Sequence, residues 1–379
     1  MLTKTLMGMA ARFAPIVAAL FALLFATLAV AAPPAHYKIV TGPERGTYIQ
    51  IGQDLSKWVA QPAGIELEVI PSKGSAENVQ RMRFEPGVKL ALVQSDVYQA
   101  YVDMANSGNT DAGTTIRPLR LIMPLYDEEI YFVVRNDSPL KTINEIKDKN
   151  ISVGLIGSGT AQSATTLYRL MFNQTIPEQN VQHLSNEDAL AALIVKKIDV
   201  AIVVAGQPAK LFTEMNPELL QQIRFLRVDP NAPETARAKQ TYFPATIRAS
   251  SYPNWLKEDV PTWTVKASLV TYDYNLRDTV GNLNRFADSL CDNFDNLQDH
   301  GHPKWKQVKL ELPGLGKGWQ YYPPVERRLK ACLAKRASLQ AAGAAGSAGG
   351  GATQRAAAEQ KVNRRPCSEQ ERLLLLCGK

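Results

Sequence analysis

The chain has 379 residues, a length that fits one large or two medium domains, and a formal net charge of +7. The positive surplus sits at the ends. Lys4 and Arg12 supply +2, and the tail from Lys335, with eight basic and three acidic residues, supplies +5, so residues 33–334 are neutral overall. A neutral body without a basic block or clustered basic and aromatic residues gives no case for nucleic-acid binding, and the basic tail reads as a solvated segment.

In chain order, Lys4 and Arg12 accompany an uncharged apolar run, Pro15–Val30. Ala29-Val30-Ala31 places small residues at both cleavage-determining positions. Residues 1–31 are therefore expected to be a secretory signal peptide, which would deliver the chain to the periplasm. The competing reading is an uncleaved anchor. Strand signals follow at Tyr37–Val40, Ile65–Ile70, Val88–Val93, Leu119–Met123, Ile130–Val134, Ile151–Leu155, Val200–Val204, Ile223–Val228 and Val265–Val270. Several are near-continuous apolar runs, as strands covered on both faces require. Between them, Tyr48, Ile51, Leu55 and Trp58–Val59 recur at helical spacing, as do Leu190, Leu193 and Ile194. The alternation predicts an α/β architecture with parallel sheets.

The cysteines, Cys291, Cys332, Cys367 and Cys377, all lie late in the chain. In an oxidising compartment disulfides are the default, and three pairings are open. The expected pairing is Cys291–Cys332 in the body and Cys367–Cys377 in the tail. His300 and His302 lie near Cys291, but no zinc-type ligand spacing appears. Between Ala341 and Ala358 the composition changes to Ala, Gly and Ser, which reads as a flexible linker leading to a short element, Pro366–Lys379.

The turns after five of the strands share a design. They are Gly42-Pro43-Glu44-Arg45-Gly46-Thr47-Tyr48, Ser72-Lys73-Gly74-Ser75, Gln94-Ser95-Asp96, Gly157-Ser158-Gly159-Thr160 and Ala205-Gly206-Gln207-Pro208. A strand turning through small residues into a helix leaves backbone N–H groups at the positive end of the helix dipole, a place for an anion such as a carboxylate. Thr47 and Ser75 are expected as helix caps. In parallel α/β sheets small ligands bind beyond the carboxyl ends of strands. Any strand-to-helix turn wants such residues, but five of them in one exported chain point to a pocket for a small acid. There is no Walker loop and no Rossmann fingerprint. Tyr126-Asp127-Glu128-Glu129 stands between two strand signals; Tyr126 could close over a ligand, and the acids could accept hydrogen bonds from an amino group or form a solvated turn. Arg135 is the nearest fixed cation, and a surface salt bridge is its expected role. Ser158 lacks the G-x-S-x-G elbow, and the four histidines show no spacing to a nucleophile, so no enzyme activity and no cofactor are expected.

At these residues the chain resembles the TAXI family of TRAP-transporter solute receptors. The matching pieces are Gly42–Tyr48, Gly74–Asn78, Leu90–Asp96, Leu125–Glu128, Val133–Ser138, Ile151–Thr160, Phe243–Ile247 and Val260–Val270, in the family's order, with Tyr322–Arg327 similar to a late motif that usually reads His-Pro-Gly-Ala. The resemblance implies a two-lobed, type II periplasmic-binding-protein fold with crossing hinge strands and the ligand cleft between the lobes. Lobe 1 is expected from 36–130 and 262–335, lobe 2 from 131–261, with linker and tail over 336–379. It further implies a monomer that captures a small carboxylate (a glutamate-like amino acid, or a 2-oxo or dicarboxylic acid) and delivers it to a TRAP-type permease. Carried over by position, the ligand contacts are Thr47, Tyr48, Ser75, Gln94, Ser95, Tyr126, Ser158, Gly159, Thr160 and Gly206. The first turn departs from the pattern at Glu44 and Arg45, and the tail lies outside it. That tail keeps a second reading open, a ligand-sensing module signalling to a membrane sensor.

Overall fold

The computed structural model describes residues 34–347 apart from 240, 316 and 317. The expected signal peptide, the Cys367–Cys377 pair and the linker beyond 347 lie outside the described residues. In chain order, β1 (Ala35–Val40) leads into α1 (Thr47–Leu55), β2 (Ile65–Ile70) into α2 (Ser75–Phe84), and β3 (Val88–Gln94) directly into α3 (Ser95–Asn106). The long β4 (Leu119–Arg135) follows, then β5 (Ile151–Ser152), α4 (Gly159–Phe172), β6 (Val181–Gln182), α5 (Asn186–Ile194), β7 (Val200–Ala205), β8 (Ile223–Phe225) and β9 (Phe243–Ile247). The second long strand, β10 (Val260–Tyr272), precedes α6 (Arg277–Asp292) and α7 (Pro323–Ser347), with shorter helical turns between.

The strands form one sheet in the order β2-β1-β3-β10-β4-β7-β5-β6, with β8 beside β4 and β9 beside β10. The expected mixed α/β fold is present, but the sheet is not purely parallel. β1 pairs parallel with β3, and β5 with β6 and β7, whereas β10 runs antiparallel to β3, β4 and β9, and β4 antiparallel to β7 and β8. The reason is that β4 and β10 run through both halves of the sheet. Their register extends from Tyr272 opposite Leu119 to Trp263 opposite Ile130.

Leu119–Met123 and Ile130–Val134 are therefore one strand, and Tyr126-Asp127-Glu128-Glu129 lies inside it rather than in a solvated turn. Pro124 makes the run look broken in sequence, because proline cannot donate to a ladder. The strand accommodates it opposite Ser268, where the register shifts between Lys266 and Ser268. Ile151–Leu155 shortens to Ile151–Ser152, and Phe243–Ile247 is an additional strand.

Side chains alternate along β4 as a pleated strand requires. Phe132 and Val134 enter one core with Leu167, Tyr168, Ile202 and Trp263. Tyr131 and Val133 enter another, on the opposite face, with Leu193, Val203, Phe212 and Tyr252. The other half of the sheet has its own core around Val40, Val93, Tyr98, Leu121 and Val270. Burying each large apolar side chain contributes about 1.5–3 kcal/mol, so three such clusters fix both halves firmly.

Cys291 on α6 is bonded to Cys332 on α7, as expected, with Cα atoms 6.3 Å apart. α7 continues to Ser347, so 341–347, expected as linker, are helical; alanine is the strongest helix former and sustains the turn. Among the described residues no helix is long and apolar enough to cross a membrane.

Candidate functional site

A cavity of about 420 Å³ lies between the two halves of the sheet. One wall comes from the β1–α1 and β2–α2 turns together with Gln94 at the end of β3. The opposite wall comes from Gly154–Leu155, the start of α4, the β6–α5 turn at Leu184–Glu187, and the end of β7. Glu128, on the crossing strand β4, closes the space between them.

The walls touch. The Glu77 amide donates to the Gly157 carbonyl at 2.9 Å, the Thr47 hydroxyl to the Gly206 carbonyl at 2.9 Å, and Arg45 pairs with Glu214 at 3.2 Å. Gly74 holds φ at 127°, and a Cβ there would stand 3.2 Å from the Gly159 nitrogen; both the left-handed backbone and the close approach of the walls require glycine.

Four helices, α1, α2, α4 and α5, begin at the cavity, α5 capped by Ser185, whose side chain accepts from the Asp188 amide. α1 and α2 have Gly46 and Gly74 as N-caps and no side-chain cap. The expected caps act elsewhere. Thr47 is the first helical residue and bonds across the cleft, while Ser75 Oγ accepts from the Gln94 amide at 3.0 Å. Glycine caps leave first-turn amides open to an outside acceptor, although in α2 the Glu77 amide is already taken by the Gly157 carbonyl. α4 differs, because Ser158 Oγ accepts from the Ala161 amide at 3.0 Å, and Thr160 Oγ1 accepts from the Val204 amide at 3.3 Å.

Of the ten residues expected at the ligand, Thr47, Tyr48, Ser75, Gln94, Ser158, Gly159 and Thr160 line this cavity. Ser95, Tyr126 and Gly206 do not. Ser95 is buried beneath it, accepting from the Lys266 amide. Tyr126 is fully buried, and Gly206 packs against it and Lys304. Arg135 points elsewhere, to Asp137 and the Leu193 and Ile198 carbonyls.

The cavity base is a buried polar network. The Tyr48 hydroxyl donates to Glu128 Oε2 at 2.7 Å. Behind it, Glu129 accepts from Lys304 Nζ at 2.7 Å and from the backbone and side-chain amides of Gln207 at 2.9 and 2.8 Å. Lys304 is fully buried and also donates to the Asp127 carbonyl and Gln307. Burial pushes the Glu128 carboxyl up to about 8, against the weaker opposing pull of the Tyr48 hydrogen bond and the Lys304 charge. Burial also raises Glu129, with Lys304 the main opposing influence. Both phenols, Tyr48 and Tyr126, are raised by burial and then by the Glu128 charge. Gln94 Oε1 and the Tyr126 hydroxyl are buried with no hydrogen-bond partner among the described residues. Gln207 belongs to the fifth of the candidate turns, whereas nothing sets Lys304 apart from its neighbours in His302-Pro303-Lys304-Trp305-Lys306-Gln307. Glu128 and Glu129 could have been found by joining the two flanking apolar runs into one strand.

Residues 39–314 match the NMT1-like family, and the chain belongs to it. Among solved structures, the chain is similar to the substrate-binding protein of an amino acid ABC transporter, at 12% identity, 71% of this chain and 100% of that one, with a TM-score of 0.42. It is also similar to the arginine-, lysine-, histidine-binding protein ArtJ from Geobacillus stearothermophilus, at 12% identity, 73% and 96% coverage and a TM-score of 0.40. A cysteine mutant of OxyR from Corynebacterium glutamicum stands at 12% identity, 78% and 74% coverage and a TM-score of 0.41.

Proposed function

We propose that this chain is an extracytoplasmic solute receptor that captures a small carboxylate between two lobes and hands it, chemically unchanged, to a TRAP-type permease. The lobes are 36–130 with 262–335, and 131–261, hinged on β4 and β10. The observation that carries the reading is the convergence of four helix N-termini, those of α1, α2, α4 and α5, on one cavity between the halves of the sheet. Open first-turn amides of α1 and α2 favour negative charge there. Thr47, Tyr48, Ser75, Gln94, Ser158, Gly159 and Thr160 are the contacts, and Lys73 is the basic residue on the cavity wall. Closure follows from a population shift, because a ligand touching both walls binds the closed form more tightly than the open one. The TRAP assignment rests on the motif resemblance, and the periplasmic location rests on the signal-peptide pattern of residues 1–31.

The test is thermal unfolding of the mature, ligand-stripped protein against mono- and dicarboxylates. A concentration-dependent rise in Tm with particular acids follows from binding to the folded state alone. A folded protein that no acid stabilises would remove the carboxylate reading.

A further inference from the structure

The base of the cavity holds two neighbouring buried carboxyls and one buried cation. Lys304 is bonded to Glu129, which Gln207 also saturates through two amides. At its side chain Glu128 accepts from the Tyr48 hydroxyl, with the Gln94 side-chain amide beside it as a further donor, and neither is a cation. The groups facing Glu128 are Tyr48 from α1, Gln94 from β3, Tyr126 and Glu129 from its own strand, and Lys304 from the Pro303–Gln307 turn. Thr264 on β10 reaches only its backbone oxygen, and Asp127 is paired to Lys266 at 2.6 Å. None of these supplies a cation of Glu128's own. A second buried acceptor lies beside it. Gln94 is 3% exposed, lines the cavity, and its Oε1 has no partner. It lies against Gly159, where any Cβ would collide with it.

We propose that Glu128 and Gln94 form an ammonium subsite, so that the solute is a zwitterionic amino acid rather than a 2-oxo or simple dicarboxylic acid. The proposal rests on the carboxylate reading above and adds the other end of the ligand. The acid group lies at the open amides of α1 and α2, and the ammonium lies at the base. An ammonium has donors for both Glu128 and Gln94 Oε1 and brings the charge the base lacks. A 2-oxo acid brings no donor of its own: its keto oxygen can accept from a protonated Glu128, but it leaves Gln94 Oε1 unpaired and brings no charge to let Glu128 ionise. Proton linkage follows. At neutral pH the empty pocket holds Glu128 largely protonated, and ammonium binding releases that proton to solvent.

The experiment is isothermal titration of the mature, ligand-stripped protein with matched pairs, L-glutamate with 2-oxoglutarate and L-leucine with 4-methyl-2-oxopentanoate, at pH 6, 7 and 8. The amino member of the preferred pair is expected to bind roughly tenfold to a hundredfold tighter. Its affinity should rise about tenfold between pH 6 and 7, with close to one proton released per ligand in buffers of different ionisation enthalpy. Glu128→Gln should lose the preference and the proton release. Equal or tighter binding of the 2-oxo acid, or amino-acid affinity that falls as pH rises over this range, overturns the ammonium subsite and leaves the carboxylate reading standing. If no acid binds but putrescine does, with the binding lost in Glu128→Gln, the carboxylate reading fails and the ammonium subsite survives. Binding of none of these probes to the folded wild type overturns both, and these wild-type arms do not depend on how the variant folds.

Discussion

Glu128 shows how burial without a cation changes a side chain. Its carboxyl is held up at about 8 mainly by desolvation, so between its unfolded value near 4.5 and 8 the folded protein holds a proton that the unfolded chain releases. The sign is the reverse of the usual carboxylate case. The stabilisation is fully present below the unfolded value and is lost as pH rises through 8. Glu128→Gln removes that dependence. In ligand-free protein its Tm is expected to rise relative to wild type between pH 5 and 8, and a constant difference across that range would contradict the assignment. Gly159 makes a separate prediction. A methyl group there meets the end of the Gln94 side chain, a flexible group that can swing away, so Gly159→Ala is expected to fold near wild-type Tm yet bind its acid about tenfold or more weakly, since a Gln94 hydrogen bond to the ligand is lost. Unchanged affinity by titration would mean that Gln94 does not face the ligand.

At the level of elements, the strand-to-helix turns were legible because their chemistry is local. Gly46, Gly74 and the Ser158 cap lie where glycine and serine belong at helix starts. The crossing strand was not legible, because Pro124 and four polar residues interrupt its apolar pattern, and only pairing with β10 on one side and β7 on the other makes them strand. Lys304 was hidden for the same reason. Nothing near it in sequence tells that Glu129 is its partner, 175 residues away. The C-terminal helix is tied to α6 by Cys291–Cys332, which closes a loop with a sequence separation of 41. Chain-entropy reasoning puts such a crosslink at about 3–4 kcal/mol. The Cys291→Ser/Cys332→Ser pair is expected to lower denaturant stability by roughly that amount while ligand affinity, 25 °C, stays within about twofold, because neither cysteine lines the cavity. A large loss of affinity would show that α7 supports the site.

At the scale of the whole molecule, the proposed closure has a backbone reporter. The Glu77 amide donates across the cleft to Gly157, so its hydrogen exchange reads whether the walls meet. Saturating ligand is expected to slow exchange at Glu77 strongly and to leave Leu92, within β3, nearly unchanged. Equal exchange at Glu77 with and without a bound acid would mean that the cleft does not close on its solute.

The adjacency of β4 and β10 has a consequence for engineering the chain. In the proposed division into lobes, the segment 131–261 leaves along one of these strands and returns along its antiparallel neighbour, so in topological terms it is an insertion between two paired strands. Lengthening, shortening or exchanging that insert leaves the host's strand order intact. Glu128 and Glu129 stay with the host, so a graft from another member of the family would inherit the base of the pocket and bring only a new opposing wall.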